Sequence, residues 1–320
     1  MKRFEKVASA SLLLSVLSAG AAPAAPAAVV PSREAPREVV SLRAYLADVY
    51  EGIGSGRFVE GHEREVDALG RAAGLIRSGR LADAAAAVRS SGYRVEEVRD
   101  RAAGRTYGVL REAVPCRMCW GTFVIDPGQG RRKVLVEAPH PQSDLHTEQF
   151  ALEAFQRLGA RALLVAGTKR DAGGPVTKCA FSASDMARND RSAFLAVHRS
   201  LLRRGGWVLQ YHGFKDKAGY PDVVISDGVE RKTQGAAPRP GAHLARLGGE
   251  LGERGITAGT YTGGGRFKDL AATCNPVGAQ TRAAGALFVH LEHKPAIRAS
   301  AAARAKAVEA AVAAVDGSGG

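Results

Sequence analysis

Three stretches of this sequence end in side chains that bind metal ions or move protons. They read Glu137-Ala-Pro-His140-Pro-Gln-Ser-Asp144-Leu-His146-Thr147-Glu148, Gln210-Tyr-His212-Gly-Phe-Lys215 and His290-Leu-Glu292-His293-Lys-Pro-Ala-Ile-Arg298. A hydrolytic zinc site takes three protein ligands from His and Asp or Glu, and it leaves a position open for water, whose pKa the ion lowers to about 7. His140, Asp144 and His212 can supply such a set, and Glu292 stands where a general base for that water is wanted.

Each stretch follows an apolar run of strand length, so the elements that carry it can be read. From Arg132 the pattern is strand then helix, repeated, as in an α/β sheet covered by helices. Strands are expected at Lys133–Ala138, Ala162–Ala166, Trp207–Tyr211, Asp222–Ser226 and Ala286–Glu292, and helices at Thr147–Leu158, Ser192–Arg204, Ala242–Glu253 and Ala296–Val315. In open α/β sheets the ligand crevice lies beyond the carboxyl ends of the strands, which is where all three stretches fall. Alternation along the third strand puts Gln210 and His212 on one face and Trp207, Leu209 and Tyr211 on the other. Likewise His290 shares a face with Glu292 on the last strand.

Ahead of this domain, expected over 131–300, residues 41–130 read as a small region of helices followed by a β-hairpin. Apolar residues recur there at helical spacing, as in Leu42, Tyr45, Leu46 and Val49, before short strands from Tyr93, Thr106 and Trp120. The Ala-rich stretch 301–320 reads as a C-terminal helix and tail. Between the second strand and its helix, the long polar connection carries Arg170, Arg188 and Asn189, which can hold a substrate carboxylate. No Gly-x-Ser-x-Gly elbow is present, and Tyr261-Thr-Gly-Gly-Gly-Arg lacks the ending of a phosphate-binding loop.

Taken together, Pro139-His140, Asp144, Thr147 opening a helix, a strand ending His212-Gly213, and a late strand with Leu291-Glu292 followed by Arg298 resemble a known group. These residues are similar to those of the zinc amidohydrolases of the N-formylglutamate amidohydrolase and phage poly-γ-glutamate hydrolase group. The resemblance spans 131–300. It implies a zinc carboxypeptidase-like α/β fold, with a mixed or mostly parallel sheet flanked by helices. It further implies one Zn2+ on His140, Asp144 and His212, Glu292 as the catalytic glutamate, and Arg298 as the trailing arginine at the substrate. The acidic ligand of the group is usually Glu one residue further on, so His146 and Glu148 stay open as alternative ligands. Amide hydrolysis near a carboxylate is the implied reaction, on γ-glutamyl, acyl-amino acid or peptidoglycan-peptide substrates.

The first residues suggest where this chemistry takes place. Lys2, Arg3 and Lys6 precede an apolar run from Val7 to about Ala22 and then small residues, so 1–28 reads as a signal peptide, with 29–40 a flexible leader. The run is short for a membrane span, and no later stretch replaces it, so no transmembrane anchor is expected after the signal is removed. The 320-residue chain has a formal net charge of +13, of which the signal carries +2, leaving about +11 on the mature chain, expected to be exported and periplasmic or extracellular. Such a charge favours acidic peptide-like or polymeric partners. The arginines are scattered without interleaved aromatics, which argues against nucleic acid. Oligomeric state is not readable. In an oxidising compartment the four cysteines are expected to pair as Cys116 with Cys119 and Cys179 with Cys274. The alternative function is a non-catalytic basic protein that binds anionic polymers of the cell envelope.

Overall fold

The computed structural model describes residues 36–51, 56–128, 132–174, 182–235 and 237–317. The expected signal peptide and Cys179 lie outside the described residues. From the N-terminal side, β1 (Arg37–Val39) precedes three helices, α1 (Leu42–Glu51), α2 (Glu63–Arg77) and α3 (Leu81–Val88). Next come β2 (Tyr93–Asp100), β3 (Arg105–Glu112) and β4 (Thr122–Ile125). Strands and helices then intermix as β5 (Arg132–Ala138), α4 (Thr147–Leu158), β6 (Ala160–Val165), α5 (Ala193–Leu201), β7 (Trp207–Gly213), β8 (Val223–Ser226) and α6 (Ala242–Glu253). Last are β9 (Ala258–Thr260), α7 (Pro276–Ala283), β10 (Leu287–His293), α8 (Pro295–Ala299) and α9 (Ala301–Asp316).

Among the described residues ten strands form one mixed sheet, ordered β1-β2-β3-β4-β6-β5-β7-β10-β8-β9 and flanked by helices. The centre is parallel: β5 pairs with β6 and β7, and β7 pairs with β10. Antiparallel neighbours, β4 against β6 and β8 against β10, close both sides of it. The hairpin strands of 41–130 therefore extend the same sheet as the strands of 131–300. Arg37–Val39, expected within the loose leader, pairs with β2 from Val98 to Asp100. Asp100 then ties this edge to α1, because its Oδ2 accepts from the Leu42 N–H at 3.0 Å, one of the donors that a helix start leaves without a partner.

Strand alternation sorts the two faces of the sheet. Leu209 and Tyr211 of β7 and Val289 and Leu291 of β10 pack among residues of α4, α6 and α9, while Val208 and Phe288 pack on the other side with residues of α2, α5 and α7. The second face is tightly closed: a side chain at Gly70 or Gly74 of α2 would come within 3.1 Å of the Ala196 carbonyl oxygen or 2.9 Å of Ser200 Oγ on α5. The C-terminal stretch expected as one helix is broken at Ser300. There the hydroxyl oxygen accepts from the Ala303 N–H and starts α9 afresh. Cys116 and Cys119 form a disulfide in the β3–β4 connection, and Cys274 is also disulfide-bonded. Among the described residues no helix is long and apolar enough to cross a membrane.

Candidate metal centre

After β5 the chain moves to β6 on one side, and after α5 to β7 on the other, so the order of the sheet switches around β5. A crevice opens beyond the strand ends at such a point. The loop leaving β5 turns at once, with the Ser143 and Asp144 N–H groups donating to the His140 carbonyl at 2.9 and 2.7 Å. That turn folds the Asp144 carboxylate back over the His140 ring. Thr147 fixes it from the far side, donating from both N and Oγ1 to the Asp144 carbonyl. His212, near the end of β7, completes the group.

The three donors converge. Nδ1 of His140 and Nδ1 of His212 are 3.1 Å apart, and Asp144 Oδ2 lies 3.6 and 3.4 Å from them. Tetrahedral zinc with bonds of about 2.0–2.1 Å holds its ligand atoms roughly 3.3 Å apart, so the triangle has the dimensions of one zinc site. The outer nitrogens explain why an ion is wanted there. Nε2 of His140 faces Asp185 Oδ1 at 2.8 Å and Nε2 of His212 faces Gln210 Oε1 at 2.9 Å, both acceptors. Each ring therefore keeps a proton at Nε2, and in neutral rings this turns two bare Nδ1 lone pairs toward each other and toward a carboxylate. Asp144 Oδ2 is buried without a hydrogen-bond partner. A cation satisfies all three atoms, and the two imidazoles and one carboxylate suit Zn2+.

The electrostatics agree with the geometry. Burial works against protonation of His140, but Asp144 and Asp185 outweigh it and push the imidazole up to about 9. For His212, burial dominates, with the charge of His140 adding to it, and its pKa falls to about 4. Burial also opposes the Asp144 carboxylate, yet attraction to both imidazoles holds its carboxyl far below the usual range. Protonation of His140 is thus favoured by Asp144 and Asp185, and an ion bound at the triad competes with that proton.

Glu292 enters from β10, where it pairs in register with His212. It is almost wholly buried, and its Oε2 has no hydrogen-bond partner. Burial, then the nearby charge of Asp144, push its carboxyl up to about 8. His290, two residues earlier on the same face, holds its ring 4.3 Å from that of His212, tilted by 37°, and places Nε2 3.8 Å from Glu292 Oε1. His212, His290 and Glu292 thereby form a second close set of donor atoms beside the first.

The remaining expected residues are placed differently. His146 takes a left-handed φ of 72° at the start of α4 and is exposed, away from the triad. Glu148 points an unpartnered oxygen into a half-buried spot, but it is not among the converging donors. Arg170 is exposed and its charge acts on Glu292, while Arg188 acts on Asp185 and His290. Asn189 is engaged by backbone, donating to the Ala183 carbonyl and accepting from the Arg191 N–H. Arg298 is engaged likewise: its guanidinium donates to the carbonyls of His293, Leu145 and Phe214, where it braces the loop that carries Asp144. Asp185 was missed because nothing local marks a loop acid as a histidine partner. Gln210, Glu137 and His290 did leave a signal, as polar residues interrupting apolar strands on the His212 face.

Elemental mass spectrometry should find about one zinc per chain, absent after His140→Ala, Asp144→Ala or His212→Ala and kept after His146→Ala or Glu148→Ala. Zinc lost in Glu148→Ala and retained in Asp144→Ala would contradict the site. The pH dependence has a definite sign. Since an ion must displace the proton that His140 holds up to about 9, apparent zinc affinity should rise from pH 6 to pH 9, with proton release on binding. Calorimetry in buffers of different ionisation enthalpy checks this, and an affinity independent of pH would refute it.

No family profile matches the chain, and no curated protein does. Solved structures do show likenesses. A bacteriophage poly-γ-glutamate hydrolase is 15% identical over 63% of this chain and 90% of its own, with a TM-score of 0.39. A metallo-carboxypeptidase from Burkholderia cenocepacia is 15% identical over 75% of this chain and 69% of its own, also at 0.39. An N-acetylmuramyl-L-alanine amidase from Mycobacterium smegmatis is 13% identical over 59% and 96%, at 0.33. At these values the likenesses carry no argument about activity, which rests on the residues of this chain alone.

Proposed function

We propose that this protein is an exported zinc-dependent amidohydrolase or peptidase that cleaves an amide bond near a carboxylate. The observation that carries the reading is the pairing of the donor triad with Glu292, a buried carboxylate with a free oxygen, pushed up to about 8 by burial and Asp144. A carboxyl that titrates near neutrality is matched to taking and returning a proton in one turnover. His140, Asp144 and His212 would hold the zinc, which would supply Lewis acidity toward the amide carbonyl and water. Glu292 takes one proton from the attacking water as its oxygen bonds to the carbonyl carbon. Glu292 then passes that proton to the amide nitrogen as the C–N bond breaks, leaving a carboxylic acid and an amine.

Two features favour an acidic substrate: the basic charge of the chain, and the charges of Arg170 and Arg188 acting on Glu292 and His290. Substrates of the γ-glutamyl, acyl-amino acid or peptidoglycan stem-peptide type have the required amide beside a carboxylate. The zinc carboxypeptidase-like assignment rests on the sequence resemblance over 131–300 and agrees with the mixed sheet. Export rests on the leader at 1–28. N-terminal sequencing of protein recovered outside the cytoplasm should begin near residue 29, and an intact Met1 there would refute cleavage.

Zinc-loaded protein should release amine from at least one member of a panel covering those three substrate classes. Glu292→Gln should keep its zinc and lower kcat by about 10²- to 10⁴-fold. A zinc-loaded wild type that cleaves none of the panel, yet binds anionic envelope polymers in a salt-sensitive way, would replace this reading with the non-catalytic one.

A further inference from the structure

Behind His212 a run of buried side chains leads away from the donor triad. Gln210 Oε1 faces His212 Nε2 at 2.9 Å, Gln210 Nε2 donates to Glu137 Oε2 at 3.0 Å, and His198 Nδ1 lies 2.7 Å from Glu137 Oε1. Glu137, His198 and Gln210 are wholly buried. Glu137 and Gln210 are also in register on the adjacent strands β5 and β7, so the sheet itself sets them side by side.

A side-chain amide accepts at one end and donates at the other, so Gln210 transmits direction as well as contact. A carboxylate only accepts. Facing Glu137, the amide must present its NH2 there, and its oxygen is left for His212. Asn275 enforces the same orientation. Its Oδ1 accepts from the Gly278 N–H at 3.2 Å, which turns its Nδ2 to donate to Gln210 Oε1 at 2.6 Å. With an oxygen facing Nε2, His212 keeps its proton on that nitrogen and Nδ1 stays bare. With the amide reversed, NH2 would face Nε2, the proton would move to Nδ1, and the triad would lose a ligand.

We propose that Glu137 is a positioning residue of the metal centre: acting through the Gln210 amide, it selects which nitrogen of His212 is free to bind an ion. The selection rests on the triad being a metal site, and it is independent of any reaction catalysed there. It also separates the two histidines. His140 is oriented directly by Asp185 from a loop, whereas His212 is oriented by a chain of hydrogen bonds built into the sheet.

Two measurements on the full chain test this: the zinc dissociation constant by competition with a chelator, and the His212 tautomer in zinc-free protein by ring 15N chemical shifts. Gln210→Met removes the acceptor at similar volume, and it should weaken zinc binding by about 10- to 100-fold and populate the Nδ1-protonated ring. The double exchange Glu137→Gln with Gln210→Glu preserves the direction of the chain, since an amide at 137 donates to a carboxylate at 210, which accepts from His212. That variant should keep the Nε2-protonated ring and near wild-type zinc affinity, and should melt above the single Gln210→Glu, which sets two buried carboxylates face to face. A folded Gln210→Met protein with unchanged tautomer and affinity would overturn the proposal, as would a folded double exchange that loses zinc. If wild type itself takes up no zinc, the metal reading fails, and the tautomer measurement still decides whether Glu137 sets the ring.

Discussion

The structure depends on a conflict of charge. Two imidazole nitrogens and a carboxylate oxygen are buried within 3.1 to 3.6 Å of each other, each with its remaining hydrogen-bonding capacity directed inward. In a low-dielectric interior such an arrangement costs several kcal/mol unless a positive charge sits among the donors. A proton on His140 is the lesser solution, and a divalent cation is the fuller one. Everything nearby either holds the donors in this opposition or responds to it.

Holding them is the work of the parallel centre of the sheet. β5, β7 and β10 lie side by side and end together, so side chains two residues apart on each strand share one face. Glu137, Gln210 with His212, and His290 with Glu292 all use that face, in strands whose opposite sides are ordinary apolar core. On that buried face Glu137, Gln210 and His212 satisfy one another, which makes them rigid, whereas His290 Nδ1 and Glu292 Oε2 are left without a hydrogen-bond partner. Asp144 and Asp185 come from loops, as does His140 two residues beyond the end of β5. The first is braced by Thr147 and by Arg298 through the Leu145 carbonyl, which stiffens the ligand loop.

The response appears at Glu292. Its pKa is pushed up by the same burial and the same Asp144 charge that make the triad a cation site, so a proton-transfer group and a metal site follow from one electrostatic field. The partners that would have neutralised it are turned elsewhere. His293 faces the other side of the sheet, stacked on Tyr211, and Lys294 pairs with Asp216. The carboxylate is thus left facing the triad with one oxygen unpartnered.

Much of this could be read along the chain. Helices Thr147–Leu158 and Ala242–Glu253 lie where apolar periodicity puts them, and the alternation that turns Gln210 and His212 away from Leu209 and Tyr211 is a property of any β-strand. Strand-end His and carboxylate residues were visible for the same reason, since they interrupt local patterns. What the chain could not reveal was which interruptions meet. Asp144 joins the histidines, whereas His146 leaves through a left-handed turn, Asn189 and Arg298 are taken up by backbone carbonyls, and Asp185 arrives from a loop that has no periodicity at all. The hairpin of residues 93–112 likewise reads locally, but its place in the central sheet depends on β4 pairing with β6. Local conformation follows from neighbours a few residues apart, whereas the choice of partners follows from strand order and loop paths set by packing of the whole chain. The direction in which Gln210 points is the extreme case: one amide, oriented by two residues from distant strands and loops, decides which nitrogen of His212 can hold an ion.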